Sequence, residues 1–385
     1  MQAQVVEKMR NVYRVCRDIA LFPKNLLKVK RIVDGHTYFP EKRRKPKSIR
    51  LKENLAYLLK NHEVNIYYNS YGLDIVGFHN EKDYISHREF ILNRYDGNNR
   101  FITSHTGEYN YITLLRDKYV FSAYLASTLG QEFVPKSIGI INKGKVYLTE
   151  SKEWLSVNEF LEQNFVYVLK KIDGECADGV SLVKNFEGRI ISSEKEYTKA
   201  EYIRKLSSSR ILIQECLQQH ESIEKINPNC VNTIRIVTLA DDNGNIGIFA
   251  AFLRLGVVKD SFVDNRAKGG LGVGINLETG KLREFGFAHD AFGGKLSAHP
   301  LTDVIFKDYQ LPYWNEVKEL VINAHKQFYE LESIGWDIVI TPNGPVILEG
   351  NDDWEIGGPQ DTSGGLKKRW IELTKKEYKK KGRSK

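Results

Sequence analysis

Apolar residues along this chain recur in two patterns. "TLLRDKYVFSAYLASTLG" (113–130) reads as a helix that stops at Gly130, and "PYWNEVKELVINAHKQFYELESIG" (312–335) reads as a longer one. Residues 1–60 read as largely helical with a break over 34–48, and 61–105 as mixed, with a turn at 67–74. Short runs rich in Val, Ile and aromatic residues predict strands at 146–149, 165–171, 180–183 and 210–217. "CVNTIRIVTLADDNGNIGIFAAFLRLG" (230–256) predicts a hairpin turning at Asp242-Asn243-Gly244. Helices and strands mix without strict βαβ alternation, which predicts an α+β fold with antiparallel sheets.

A second hairpin is predicted over "GWDIVITPNGPVILEGN" (335–351). Pro342, Asn343 and Gly344 have the chemistry of a three-residue loop closed by a bulge-forming glycine. That loop pairs Thr341 with Pro345, Val339 with Ile347 and Asp337 with Glu349, and puts Asn351 on the face of Glu349. Either this is the solvent face of an ordinary hairpin, or it is a ligand set. Opposed carboxylates on a sheet repel, and a divalent cation turns that repulsion into coordination. Two carboxylates and an amide are hard oxygen donors that suit Mg2+, with a substrate's phosphates completing the shell. Gly350, between two polar residues, predicts that something large approaches closely.

Composition narrows the class. A chain of 385 residues, 41% hydrophobic and 11% aromatic, is long enough for two or three lobes around a sizeable core. "IGIFAAFLRLGVV" (246–258) is too short to span a bilayer and is interrupted by Arg254. The N-terminus carries charges throughout, unlike a signal peptide. Cys16, Cys176, Cys216 and Cys230 lack metal-site spacing and read as free thiols of a cytoplasmic protein. The net charge is +8, with basic runs at 41–52 and 375–385. These are either solvated ends or a means of peripheral contact with an anionic membrane or glycan. No aromatic interleaving or nucleic-acid motif accompanies them, so no nucleic-acid partner is expected.

Three further clusters bear on chemistry. "VYVLKKIDGECADGVSLV" (166–183) ends a strand in Lys170-Lys171 and passes through a loop holding Gly174 and Gly179. It is either an ordinary glycine hairpin or a backbone cup for phosphate with a lysine as point charge. "ILIQECL" (211–217) can present backbone groups to an adenine edge. Arg235 and Arg254 sit in facing strands among apolar residues, and two arginines aimed at one sheet face point to an anionic ligand. Gly269, Gly270, Gly272 and Gly274 in the next segment allow a ligand close to the backbone.

Taken in order, these clusters resemble the ATP-grasp superfamily, and within it the sugar-transfer-associated ATP-grasp family. The carrying residues are Asp117-Lys118, "VLKK" with its glycine loop, "ILIQECL", "NTIRIVT", "VDNRAKGGLGVGI" and "GWDIVITPNGPVILEGN" with "PQ" (359–360), over roughly 65–370. The resemblance implies an ATP-grasp fold, two α+β subdomains gripping ATP between antiparallel sheets, after an N-terminal, mostly helical extension. The expected boundaries are 1–105, 106–225, 226–373 and a basic tail at 374–385. It implies that Lys118 and Lys170, with the Gly174–Gly179 loop, contact nucleotide phosphates. Gln214, Glu215 and Leu217 would hold adenine. Arg235, Arg254 and Asn265 would face the γ-phosphate and the reacting carboxylate. Asp337, Glu349 and Asn351 would bind two Mg2+ ions. Lys170-Lys171 stands where many superfamily members have Lys-Pro, and Glu221 and Glu224 are both candidates for the ribose.

The implied activity is that of an ATP-dependent, ADP-forming carboxylate–amine ligase working through an acyl phosphate. It would join an amine, such as an amino acid, to a uronic-acid-type sugar carboxylate, free or carrier-linked, in surface-polysaccharide synthesis. The alternatives are a kinase-like phosphotransferase and a non-catalytic nucleotide-binding module. No candidate general base stands beside the metal triad in the sequence, which favours a carboxylate acceptor over a sugar hydroxyl, because a carboxylate is already ionised at neutral pH.

Overall fold

The computed structural model describes residues 21–99, 112–174, 179–192, 195–207, 210–257, 264, 269–288 and 294–376, with the side chains of 95, 96 and 99 left aside. The fold is α+β. Helices over 21–34, Lys47–Asn61 and His87–Asn99 precede two antiparallel sheets. The first sheet has eight strands: β1 (Ser137–Asn142), β2 (Lys145–Leu148), β3 (Trp154–Ser156), β4 (Phe165–Lys171), β5 (Ser181–Phe186), β6 (Arg189–Ser192), β7 (Lys195–Tyr197) and β8 (Ile211–Glu215). Their spatial order is β3-β2-β1-β8-β4-β5-β6-β7. The second has seven: β9 (Ile234–Ala240), β10 (Ile246–Leu255), β11 (Leu271–Ile275), β12 (Leu282–Ala288), β13 (Lys295–Leu296), β14 (Ser333–Thr341) and β15 (Gly344–Asn351), in the order β13-β12-β11-β10-β9-β14-β15.

The cores follow from which faces are covered. The helices Val157–Phe160 and Lys199–Ser207 close one face of the first sheet through Val157, Phe160, Tyr202 and Leu206. The second sheet is covered on both faces. Ile334, Trp336, Ile338 and Ile340 of β14 meet Val317, Val321 and Ala324 of the helix Trp314–Lys326. On the opposite face, Val237 and Leu239 of β9 meet Phe90, Trp354 and Trp370.

Several local readings change. The helix expected over 113–130 is two, Thr113–Arg116 and Lys118–Thr128. Asp117 between them is extended (φ −82°, ψ 105°), and its carboxylate accepts the N–H groups of Tyr119 and Val120, both at 3.1 Å. An aspartate gains more by capping a helix start than by sitting inside one. The helix expected to reach 335 stops at Lys326, and β14 begins at Ser333. There the backbone pairs with Leu239 instead, and His325 bonds the Leu331 carbonyl (2.9 Å) to fix the exit.

The hairpin at 341–345 is tighter than expected. Thr341 pairs with Gly344 rather than Pro345, and Val339 with Val346 rather than Ile347. Gly344 has φ +124°, a conformation suited to glycine, and Thr341 Oγ1 donates to its carbonyl at 2.9 Å. A register shift between Asp337 and Ile338 then restores the Asp337–Glu349 pair. Two glycine readings are corrected as well. A Cβ at Gly350 would lie 2.7 Å from Leu115 Cδ2 and 3.0 Å from Phe121 Cε2, so the close neighbour is the core. Gly274 lies inside β11, where a Cβ would strike the Thr362 carbonyl, so it admits a helix and not a ligand.

Part of each basic run is paired inside the chain. In 41–52, Arg44 pairs with Asp74 (2.8 Å), Lys45 with Glu53 (2.9 Å) and Lys47 with Asp34 (2.6 Å), while Arg50 donates to the Val33 carbonyl. Lys375 pairs with Asp241 (2.6 Å), and Lys376 with Glu332 (2.5 Å) and Asp242 (3.0 Å). The rest of the tail lies outside the described residues. Among the described residues, no helix is long and apolar enough to cross a membrane, and Cys216 and Cys230 are free thiols.

Candidate active site

A cavity of about 570 Å³ takes Val168, Lys170 and Gln214 from the first sheet and Arg235, Arg254, Asp337 and Glu349 from the second. That volume suits a nucleotide-sized ligand. Its floor is a row across the second sheet. Phe252 of β10 pairs with Arg235 of β9, Arg235 with Asp337 of β14, and Asp337 with Glu349 of β15. The pair of carboxylates seen in the sequence is therefore flanked by an arginine that the hairpin alone does not reveal.

That arginine and its neighbour hold Asp337. Arg235 Nε donates to Asp337 Oδ1 (2.5 Å) and its NH2 to Oδ2 (3.2 Å), while Arg254 NH2 lies 2.9 Å from Oδ2. Burial pushes the Asp337 carboxyl up, but the two guanidiniums outweigh it and hold the group below the usual carboxylate range. Arg254 Nε also donates to Thr233 Oγ1 (2.8 Å) and lies 3.5 Å from Asp264, whose carboxylate accepts the Thr233 N–H at 2.9 Å. Burial works against the Arg254 charge, and Asp264, Asp337 and Glu349 together restore it. Burial raises Asp264, opposed by Arg254 and Thr233.

Both candidate lysines reach the cavity. Lys118 opens its helix, its N–H bonded to the Ile172 carbonyl (3.1 Å). Its ammonium donates to the Gly174 carbonyl and lies 3.7 Å from Glu349 Oε1. The Lys170 side chain, on a residue 8% exposed, has no hydrogen bond or ion pair among the described residues. Desolvation pulls it down to about 8, with Lys118 adding to the effect and Glu349 and Asp337 opposing it. Lys171 is not part of the cavity lining; its side chain packs against Gly179, which takes φ +70°. Gly174 lines the cavity, and residues 175–178 lie outside the described part.

At the end of β8, Gln214 is buried and donates to Ser122 Oγ (3.1 Å). The Glu215 carboxylate accepts the Lys136 N–H (2.7 Å) and its own N–H goes to the Lys136 carbonyl (3.0 Å). Cys216 and Leu217, one step beyond, line the cavity. Asn265 lies outside the described residues, and neither Glu221 nor Glu224 lines the cavity. Sequence reasoning passed over Thr233, Asp264, Tyr67, His87 and Glu355, all of which do. Thr233 lies inside "NTIRIVT" and Asp264 inside "VDNRAKGGLGVGI", each near a residue singled out there, and Glu355 stands just past Asn351. Tyr67 and His87 have no local signal.

For a divalent cation, the donor set fits in part. Glu349 is 31% exposed at its side chain, and Asn351 Nδ2 donates to the Gly335 carbonyl (3.3 Å), which leaves its amide oxygen available. Both Asp337 oxygens are held by arginines. No all-protein cage of three or more His, Cys, Asp or Glu occurs among the described residues. Mg2+ asks for no such cage, since it binds through one or two carboxylates, water and substrate phosphates.

The model for sugar-transfer associated ATP-grasp proteins matches residues 97–375. A comparison with curated proteins gave no match. Among solved structures the chain is similar to L-amino acid ligase from Bacillus licheniformis, at 13% identity over 67% of this chain and 44% of that one, TM-score 0.36. It is similar to biotin carboxylase from Campylobacter jejuni, at 11% over 68% and 46%, TM-score 0.37. A third is N5-carboxyaminoimidazole ribonucleotide synthetase from Thermotoga maritima, at 11% over 63% and 43%, TM-score 0.32. The chain spans less than half the length of each. With the family match extending over most of its length, the chain belongs to the sugar-transfer-associated ATP-grasp family.

Proposed function

We propose that this protein is an ATP-dependent carboxylate–amine ligase, with ATP held between residues 106–225 and 226–373. The observation that carries it is Lys170. A buried ammonium with no hydrogen bond or ion pair among the described residues calls for an anion, because charge is costly to bury unpaired. Lys118, Arg235 and Arg254 line the same cavity. Grouped with Glu349, Asp337 and Asp264 at one end of the cavity, these four cations suit a polyphosphate and a transferring phosphoryl group.

In this reading Lys118 and Lys170 bind phosphates, and the Cys216–Leu217 backbone meets adenine with Gln214 and Glu215 bracing the strand end. Arg235 and Arg254, aimed by Asp337, Thr233 and Asp264, neutralise the γ-phosphate and orient the acceptor carboxylate. Glu349 and Asn351, with Asp337 beside them, hold Mg2+, which supplies Lewis-acid charge at the phosphates. The carboxylate attacks the γ-phosphorus and ADP leaves. An amine then displaces phosphate from the acyl carbon. The family's sugar-transfer association supports a uronic-acid-type carboxylate and an amino-acid-like amine, within surface-polysaccharide synthesis.

The test is ADP release over a panel of uronic acids, sugar nucleotides and amino acids, singly and in pairs, with hydroxylamine as a trap. Hydroxamate and one phosphate per ADP are expected. A stable phosphate ester without hydroxamate would establish the kinase alternative.

A further inference from the structure

Beyond the phosphate-facing cations, the same cavity carries a second group of side chains. His87 opens the helix His87–Asn99, and Glu355 follows β15. Glu355 Oε2 stands 3.7 Å from His87 Nδ1, too far for a hydrogen bond, and that nitrogen is shielded from solvent with no hydrogen-bond partner. The Tyr67 ring lies 6.5 Å from the imidazole, centroid to centroid. Here the charge balance reverses. Arg94, the nearby cation, is taken up by Asp353 and by the Trp354 carbonyl (2.6 Å).

We propose that the cavity receives its second substrate, an amine, as the ammonium ion at Glu355 and His87, and that this pair accepts the proton the amine must lose before it attacks. The inference rests on the ligase reading and names the acceptor end of that site. It also supplies the base that the sequence lacked. An ammonium ion has no lone pair. One proton passes from R–NH3+ to the Glu355–His87 pair. The neutral nitrogen then forms the C–N bond at the acyl carbon. The C–O bond to the phosphoryl group breaks, its electron pair leaves with phosphate, and phosphate takes the second proton.

The surroundings fit a proton acceptor. Glu355 lines the cavity with 58% of its side chain exposed. Burial raises its carboxyl above the ordinary glutamate value, Asp353 adds to the rise, and His87 and Arg94 restrain it. A raised carboxylate accepts protons better near neutral pH. His87 in turn faces Glu63, itself raised by burial and bonded to the Arg88 N–H (3.1 Å) and the Tyr57 hydroxyl (2.9 Å). Tyr67 and His87 precede residue 97, where the family match begins. Amine choice would then be written in this chain's own N-terminal segment.

The binding test uses full-length protein loaded with Mg2+ and a non-hydrolysable ATP analogue, titrated by calorimetry with methylammonium and with glycinamide. Glu355→Gln should weaken the better of the two at least ~10-fold, the scale of a lost charge-assisted hydrogen bond. Glu355→Asp should recover part of it, and analogue affinity should stay within about two-fold. Equal binding by wild type and Glu355→Gln, or no binding to wild type, overturns the proposal. With the carboxylate that gives hydroxamate in wild type, Glu355→Gln and His87→Gln should lose ~10²-fold in amide formation. The loss on hydroxylamine, uncharged at neutral pH, should be at least ~10-fold smaller, and amide formation should recover as pH approaches the amine's own pKa. Equal loss on both nucleophiles, without pH recovery, shows a structural role only. Failure of wild type to bind the ATP analogue brings down the nucleotide reading itself, a distinct result.

Discussion

The first sheet is covered by helices on one face, and the second on both. In β6 buried and exposed positions alternate strictly, whereas all nine residues of β14 are buried. This difference decides how each sheet carries charge. On the doubly covered sheet Arg235, Arg254 and Asp337, with Asp264 from the segment between β10 and β11, neutralise one another at 2.5–3.5 Å. The singly covered sheet offers Lys170 without such a partner. The second sheet thus forms a pre-set floor, and in the proposed function the first brings one cation whose counter-charge would be the ligand.

The comparison breaks first at tryptophan. Trp336 of β14 is fully buried and donates to Thr238 Oγ1 (2.8 Å), while Trp154 of β3 is 57% exposed. Trp336→Ala should cost about 3–5 kcal/mol in denaturant unfolding, and Trp154→Ala about 0.5 kcal/mol or less. Similar costs would show that the sheets are equally covered. The next effect separates floor from chemistry. Glu349→Gln should lower turnover at least ~10²-fold, by removing charge beside the phosphates, with unfolding free energy within ~1 kcal/mol of wild type, since its one ion pair among the described residues is a 3.7 Å contact at a partly exposed side chain. Near-normal turnover would remove Glu349 from the metal set.

A smaller effect tests the first sheet. Lys170→Met should raise the ATP Michaelis constant about 10-fold, the scale of one charge-assisted hydrogen bond, well beyond Lys171→Met. If Lys171 proves the sensitive residue, the cavity assignment is wrong. The pH dependence has a definite sign. Phosphate favours the charged lysine, whose pKa in the free protein is about 8. ATP affinity should be full below that value and fall as pH rises through it, by up to about 10-fold per unit. The same lowered pKa costs stability below about 8, and the cost fades as pH rises toward the ordinary lysine value of 10.5. Lys170→Arg should abolish the ATP term.

The smallest effect concerns the tail. Because Lys375 and Lys376 are held by Asp241, Asp242 and Glu332, the informative truncation removes only 377–385. Turnover on a soluble acceptor should not change, and binding to anionic vesicles should fall and weaken with salt. Equal vesicle binding with and without 377–385 would discard any role for the tail at membranes.

By itself the sequence determined the α+β class, the hairpin at 230–256, the strands β4 and β8, and the neighbourhood of Asp337 and Glu349, because each depends on periodicity or turn chemistry within some thirty residues or fewer. It also placed Lys118, Lys170, Arg235 and Arg254 near one another through a resemblance that carries long-range order. Only the tertiary structure decided that Arg235 stands against Asp337, 102 residues away, turning a bare carboxylate pair into a compensated row. Only it brought His87 to Glu355, and only it gave Gly350 and Gly274 their reason in core packing. Those contacts join segments whose local sequences are silent about one another. Cross-strand pairing and burial, which set charge state and access, belong to the folded whole.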